Sequence, residues 1–165
     1  MEHKKIDEIA FQFNSQISKK VKSIITPFET ITPITNFSYL RFYNDGRLLH
    51  IQPNKSLLKY LLESNFNNQG LKNEQLKEAV QKTVVSSQYV WPTNNNDDLS
   101  RFLSIFGIKN TMSVITKNNS YLESLTFSNS LDEELGCELH INNSEHYQHF
   151  RAYFVDKLND IIDFN

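Results

Sequence analysis

ITNFSYLRFYNDGRLLHIQP, residues Ile34 to Pro53, places an Asp-Gly pair between two apolar runs. Such a pair is typical of a tight β-hairpin, because a type I′ turn needs a positive φ at both central residues. In the first strand Phe37 and Tyr39 share one face and Leu40 lies on the other, since side chains alternate along a strand. Bulky residues on both faces indicate a central strand that is covered on both sides. We therefore predict that this hairpin forms the middle layer of a sandwich.

The composition of the chain indicates one globular domain over residues 1–165, with 39% hydrophobic and 12% aromatic residues available for a core. The formal net charge of −2 does not provide the basic footprint of a nucleic-acid-binding domain. The one cysteine excludes an internal disulfide and fits a reducing compartment. Because the N-terminus is charged and no long apolar run occurs, we expect a cytoplasmic protein without a secretion signal or membrane span.

The spacing of apolar residues predicts four or five helices and five strands. The predicted helices are Lys5–Ile25, Leu57–Ser64 after a Ser56 cap, Lys72–Lys82, a helix carrying Leu99 to Phe106 after an Asn96 or Asp97 cap, and Glu145 to about Ile162 after a Ser144 cap. Besides the first hairpin, the predicted strands are Val84–Trp91, Thr111–Thr116 and Tyr121–Phe127. The predicted fold class is α+β, an α-β-α sandwich around a roughly five-stranded, mainly antiparallel sheet similar to PAS and GAF domains.

Three local signals define where the predicted elements end. Pro27 is expected to end the first helix, because proline lacks the N–H that a helix interior requires. Gly107 follows the helix that ends near Phe106 and is expected to be its C-terminal cap. The acidic segment Asn129–Asn143 is expected to be irregular, apart from one helical turn at Leu131–Leu135.

An aromatic cavity beside the hairpin is the first candidate site. The side chains that could converge between the sheet and one helical layer are Phe37, Tyr39, Tyr43, Phe66, Tyr89, Trp91, Phe102, Phe106 and Met112. Core packing explains any one of them. The mixture of apolar side chains with tyrosine hydroxyls and one indole N–H is also the usual composition of a small-molecule site. We predict that all except Phe66 are ligand-binding residues, with core packing as the alternative.

A cysteine and three histidines form the second candidate site. Cys137, His140, His146 and His149 lie within a short segment, and thiolate and imidazole are the ligands that zinc prefers. Their spacing matches no standard zinc finger. We therefore expect histidines on the surface before a helix, with no metal and no other cofactor.

Motifs of common enzymes are absent from the sequence. It contains no G-x-S-x-G, P-loop, H-E-x-x-H or paired-cysteine motif. The adjacent carboxylates Asp97-Asp98 and Asp132 to Glu134 are explained by a helix cap and a solvated face. The basic cluster Lys19 to Lys22 is explained by the C-terminal end of a helix. We predict that the chain is not an enzyme and does not bind DNA through these residues.

The chain contains, in this order, the segments FETITPITNFSYLRFYNDGRLLHI, WPTNNNDD, FGIKNTMSVI and HYQHFRAYF. Taken together and in their order, these segments resemble the N-terminal sensory domain of LuxR-type transcriptional regulators. The resemblance extends from about Pro27 to Ile162 and implies an α-β-α sandwich with a ligand between the sheet and one helical layer. It also implies a cytoplasmic homodimer with a function similar to quorum sensing, and DNA contact only through a separate helix-turn-helix domain that this chain does not contain.

The resemblance does not identify the ligand. Lactone-binding members of the family carry a Trp, a Tyr and then an Asp-Pro dipeptide, whereas this sequence contains no Asp-Pro. Phe37, Tyr39 and Tyr43 stand roughly where the Trp and Tyr are expected. We therefore predict a sensory domain for a small apolar or amphiphilic molecule. The alternative is a ligand-free module of the same fold that serves protein interaction or dimerisation.

Overall fold

A computed structural model of the protein describes residues 18–44, 48–63, 86–91 and 98–161. Six side chains within these ranges lie outside the description: Leu48, Leu62, Tyr89, Trp91, Asp98 and Leu99. The predictions for the start of the first helix, the Asp-Gly turn, Phe66, the helix Lys72–Lys82 and the Asn96 or Asp97 cap fall outside the described residues.

The described residues form five strands and five helices. In chain order these are helix α1 over residues 18–31, strand β1 (Asn36–Tyr43), β2 (Leu48–Ile51), α2 (Lys55–Glu63), β3 (Ser86–Trp91), α3 (Asp98–Ile105), β4 (Asn110–Lys117), β5 (Tyr121–Asn129), α4 (Glu133–Asn142) and α5 (Ser144–Asn159). The strands make one antiparallel sheet in the order β2-β1-β5-β4-β3. The predicted α+β class and antiparallel sheet are confirmed.

Strand β1 lies between β2 and β5, as predicted from its bulky residues. Tyr39 is opposite Ile51 of β2 and opposite Leu125 of β5. Alternate residues of β1 therefore point to opposite faces of the sheet, with Phe37 and Tyr39 on one face and Leu40 on the other.

Helices α1 and α5 cover the Phe37 face, and together they form an aromatic core. Phe28 of α1 stacks on Phe150 of α5 with ring centroids 4.2 Å apart, and Phe127 of β5 stacks on Tyr147 at 4.4 Å. The spacing of apolar residues predicts a buried stripe of Tyr147, Phe150, Phe154, Leu158 and Ile161 on the last helix. The first four are buried, and Ile161 is half-buried just beyond the end of the helix. This aromatic core holds the two long helices to one side of the sheet.

Helices α2 and α3 pack against each other. Their apolar cluster consists of Leu57, Leu61 and Ile108, with Tyr60, Phe102, Leu103 and Phe106 packed against it. Tyr60 stacks on Phe102 with ring centroids 3.5 Å apart, which joins the two helices. None of these residues belongs to the aromatic core. The two apolar clusters are therefore separate.

The prediction that Pro27 ends the first helix is wrong, because helical structure continues to residue 31. Proline removes one backbone hydrogen bond, but the neighbouring hydroxyls donate to helix carbonyls, Thr26 to Lys22 at 2.8 Å and Thr30 to Pro27 at 2.7 Å. One residue beyond the proline, Phe28 is buried in the aromatic core. Its burial favours continuation of the helix more than the proline opposes it.

Two caps differ from the sequence prediction and one agrees with it. Helix α2 is capped by Asn54 rather than Ser56, since Asn54 Oδ1 accepts from the Leu57 N–H at 3.1 Å. Ser144 is the first residue of α5, not its cap. Gly107 has φ 72° and ends α3 as predicted. Its N–H bonds the Ser104 carbonyl and the Ile108 N–H bonds that of Leu103, which is the Schellman pattern.

Helix α4 replaces the irregular segment that the sequence predicted. Its two buried residues are Gly136 and His140. An added Cβ at Gly136 would lie 2.7 Å from Asn129 Oδ1 and closer still to the Asn110 side chain. The glycine therefore lets the helix backbone approach the ends of β4 and β5, where large side chains would prevent it.

Candidate functional site

The structure does not bring the predicted aromatic site residues together. Phe37, Tyr39 and Met112 belong to the aromatic core on the α1–α5 side, whereas Phe102 and Phe106 pack in the α2–α3 cluster. The two groups therefore belong to different apolar clusters. The expectation that they converge in one cavity is therefore wrong, because hydrophobicity alone does not say which layer an aromatic residue joins. Their role in ligand binding stays a prediction.

The remaining predicted site residues lie on the strands. Tyr43 ends β1 and packs against Tyr121, with ring centroids 6.0 Å apart. Tyr89 and Trp91 belong to the edge strand β3, where their backbones are opposite Ser113 and Thr111. The side chains of Tyr89 and Trp91 lie outside the described part of the structure.

The sheet face towards α2 and α3 carries small hydroxyl residues at its centre. We call this surface the hydroxyl face, and its members are Ser38, Thr111, Ser113, Ser124, Thr126 and Ser128. Strand pairing places them side by side, since Ser38 is opposite Thr126 and Thr126 is opposite Ser113. The hydroxyls of Ser113 and Thr126 are 2.9 Å apart, and those of Thr111 and Ser128 are 3.1 Å apart. A polar surface thus lies at the centre of a covered sheet face.

The two sheet faces differ in side-chain volume at equivalent positions. On the α1–α5 side, β4 and β5 contribute Met112, Val114, Leu125 and Phe127, all in the aromatic core. On the other side, the same two strands contribute mainly serine and threonine. Helix layers normally cover apolar sheet faces. The hydroxyl face is therefore unusual in both its polarity and the small volume that its side chains fill.

The hydroxyl face becomes apolar along the strands. The next positions along them hold Leu40, Ser124 and Ile115 side by side, followed by Phe42 opposite Leu122. Successive positions on one face are two residues apart, about 7 Å along a strand. This side of the sheet therefore has a hydrogen-bonding end, the hydroxyl face, and an apolar end. Such an arrangement suits an amphiphilic molecule.

His50 is a site residue that the sequence prediction missed. It lies on β2 opposite Leu40, on the same sheet side as the hydroxyl face, and only 2% of it is exposed. Its Nδ1 is buried without a hydrogen-bond partner. Burial lowers the pKa of His50 to about 4, so the ring is uncharged at neutral pH. A single histidine in a predicted strand does not indicate a buried ring without a hydrogen-bond partner. The alternation of side chains along a strand does not show which residues of other elements a side chain contacts.

A buried ion-pair network lies on the other sheet face. Glu123 is fully buried and accepts hydrogen bonds from Tyr39 at 2.8 Å, from Arg41 at 3.3 Å and from Arg151 of α5. Arg41 also lies over the Tyr121 ring, 4.2 Å from its centroid. Burial and the Glu123 charge both raise the pKa of Tyr39, which keeps its hydroxyl protonated as a donor. The network joins β1, β5 and α5.

His140, expected on the surface, is buried. Its Nε2 lies 3.1 Å from the Asn110 carbonyl oxygen, and its Nδ1 lies 2.9 Å from the Tyr147 hydroxyl. Burial lowers the pKa of His140, and a neutral ring fits one donor and one acceptor position. Within the described residues, no three His, Cys, Asp or Glu side chains form a group that could hold a metal ion. His140 therefore joins α4 to the sheet and to α5.

Comparison with solved structures finds a similar fold in CepR2 of Burkholderia cenocepacia, described as an N-acylhomoserine lactone dependent LuxR family transcription factor. The TM-score is 0.60 over 96% of each chain, with 12% sequence identity. The chain shares its fold with a LuxR-family regulator. No protein-family model matches the sequence, and no curated protein does. Among the described residues, no helix has the length and apolar character needed to cross a membrane.

Proposed function

We propose that the protein is a ligand-sensing regulatory domain of the LuxR type. Its ligand is a small apolar or amphiphilic molecule bound between the hydroxyl face and helices α2 and α3. One observation carries the proposal: small hydroxyl side chains occupy the centre of one sheet face, whereas the opposite face is filled by large apolar ones. The fold similarity to CepR2 supports it.

The proposed site includes some of the ligand-binding residues that were predicted from the sequence. Phe102 and Phe106, which pack in the α2–α3 cluster, are proposed as its aromatic cover. Tyr89 and Trp91 of β3 are opposite Ser113 and Thr111 of β4, and we propose them as the edge of the ligand site. A mostly apolar enclosure with a few hydroxyl groups has the composition of a small-molecule site.

Regulation would follow from differential binding. A ligand that binds one conformation or dimer state more tightly shifts the population towards that state. We propose that the domain acts in the cytoplasm as a homodimer, and that DNA is contacted only through another domain. No catalytic step is proposed.

A space-filling substitution tests this site. Ser124 lies between Leu40 and Ile115 in register, so Ser124→Leu should be tolerated by its neighbours while it fills the proposed space. In a thermal-shift screen of N-acylhomoserine lactones and other small amphiphiles, we expect wild type to be stabilised by at least one compound and Ser124→Leu to lose the shift. Ser23→Leu, on the exposed side of α1, is the matched control and should keep it. No shift for wild type with any compound would count against the proposal.

The alternative function is a ligand-free module for protein interaction or dimerisation. The burial of Ser113 and Ser128, each 1% exposed, favours it, because their hydroxyls are already covered and paired. Analytical ultracentrifugation of wild type, with and without the compounds of the screen, separates the two functions. A stable dimer that no compound affects would favour the alternative.

A further inference from the structure

Buried polar atoms without partners are rare in folded proteins and call for an explanation. Among the described residues there are four such side-chain atoms: His50 Nδ1, Asn110 Oδ1, Thr116 Oγ1 and Arg151 Nε. Register places Asn110 opposite Asn129 and Thr116 opposite Glu123, on the α1–α5 side of the sheet. Arg151 belongs to α5 and pairs with Glu123 on that same side. His50 is thus the member of this group that shares a sheet side with the hydroxyl face.

His50 lies beside the boundary between the hydrogen-bonding end and the apolar end of this sheet side. Leu40 separates it from Ser124 in the same row across the sheet. It therefore stands beside the point where the hydroxyl end gives way to the apolar end. A ligand lying along the strands would have its polar group within reach of this row and its apolar part beside Phe42 and Leu122.

The charges of this sheet side restrict the ligand. At its strand positions within the described ranges, Lys117 is the only residue with a full charge, and it is exposed at the end of β4. His50 itself is uncharged at neutral pH, because burial lowers its pKa to about 4. A carboxylate or ammonium group would lose its hydration here without meeting an opposite charge, which is costly. An amide, ester or hydroxyl group would be matched by a neutral imidazole nitrogen.

We infer that His50 is the hydrogen-bonding anchor for the ligand, through Nδ1, and that it selects an uncharged polar group attached to an apolar tail. This inference rests on the proposed function, since it names the ligand chemistry of the same site. The unpaired nitrogen is then a specificity device: it costs stability in the free protein and is satisfied by the ligand.

The test uses four probes with the same tail and different heads. N-decanoyl-homoserine lactone and decanamide are uncharged, decanoate is anionic and decylamine is cationic at neutral pH. Affinities are measured by isothermal titration calorimetry for wild type, His50→Gln, His50→Leu and the surface control His149→Leu. Thermal unfolding of each free protein is measured alongside, because it reports on His50 without any ligand.

If His50 is the anchor, wild type binds the uncharged probes at least about tenfold more tightly than the charged ones. His50→Leu should weaken binding of the uncharged probes about tenfold or more, since a hydrogen bond is lost. His50→Gln, which keeps a hydrogen-bonding amide, should retain most of the affinity. The free His50→Leu protein should unfold at the same or a higher temperature than wild type, because an unpaired buried polar atom is removed. His149→Leu should resemble wild type in both measurements.

Each other outcome has a defined meaning. If the probes bind wild type and His50→Leu equally well, the inference about His50 is wrong and the proposed function stands. If the free His50→Leu protein unfolds at a clearly lower temperature, the histidine has a structural role and is not reserved for a ligand. If charged probes bind as tightly as uncharged ones, the inferred ligand class is wrong. If no probe and no compound of the wider screen binds wild type, the proposed function and this inference both fail.

Discussion

At the scale of single residues, close packing leaves no room for a side chain at Gly136 of α4. Gly136→Ala would place a methyl group within 2.7 Å of Asn129 Oδ1 and against the Asn110 amide. Because both asparagines are buried and hydrogen-bonded to each other, neither can move freely. We expect a loss of about 2 kcal/mol in the free energy of unfolding, measured by urea denaturation.

A matched control for Gly136→Ala is available in the same helix. Glu134 is exposed in the first turn of α4, so Glu134→Ala should change the unfolding free energy by only a few tenths of a kcal/mol. Equal effects of the two substitutions would show that α4 does not depend on close approach at the glycine.

The buried histidines make stability depend on pH. Burial lowers the folded-state pKa of His50 from 6.5 to about 4, so the unfolded chain binds the proton more readily between these values. This difference has no effect on stability above about pH 6.5, and it lowers stability progressively as the pH falls towards 4, by roughly 3 kcal/mol at most. His140, whose pKa burial also lowers, acts in the same direction.

Urea denaturation at pH 7 and at about pH 5 measures this effect. Wild type should lose stability at the lower pH, and His50→Leu should lose less, because its unfolded chain no longer takes up a proton at position 50. His149→Leu, which removes an exposed histidine, should show the wild-type dependence. A His50→Leu variant with an unchanged pH dependence would contradict the assignment.

At the scale of elements, the unexpected helix segment is the end of α1. Pro27 is exposed and cannot donate to the Ser23 carbonyl, so Pro27→Ala restores one helix hydrogen bond. We expect the free energy of unfolding to rise by about 1–3 kcal/mol. Thr30→Ala, which only removes an exposed hydroxyl bond, should not stabilise the protein. A destabilised Pro27→Ala protein would mean that the proline geometry itself positions Phe28.

Besides the aromatic core, the ion pair of Glu123 with Arg151 attaches α5 to the sheet. Glu123→Gln would leave Arg41 and Arg151 without their shared carboxylate in a buried place. Breaking such a pair costs about 3–5 kcal/mol, less here because Arg151 is 22% exposed. Hydrogen exchange should show faster exchange in α5. Glu138→Gln, at an exposed position of α4, is the control and should leave α5 unchanged.

At the scale of the whole molecule, the sequence predicted the layers better than the site. The strands of the antiparallel sheet, including the pairing of β1 with β2, follow from the alternation of apolar residues, and the buried stripe of α5 follows from their three- and four-residue spacing. Helix α4 was missed because Gly136 and His140 dock it through close approach and hydrogen bonds, not through an apolar stripe.

The candidate site was only half predictable for a related reason. Aromatic residues were the signal for a cavity, yet Phe37 and Tyr39 fill the core, where their size is needed. The hydroxyl face consists of serines and threonines, which resemble loop residues in a sequence. Register brings them together, and register depends on which strands become neighbours.

The single-residue alternation of β5 has a consequence for signalling distance. Ser124 belongs to the hydroxyl face, and the residue before it in the chain is Glu123, which holds Arg151 of α5 on the far side. A molecule that displaced this part of the strand would move both at once. A displacement on the hydroxyl face would therefore reach α5 across the sheet through a single peptide unit.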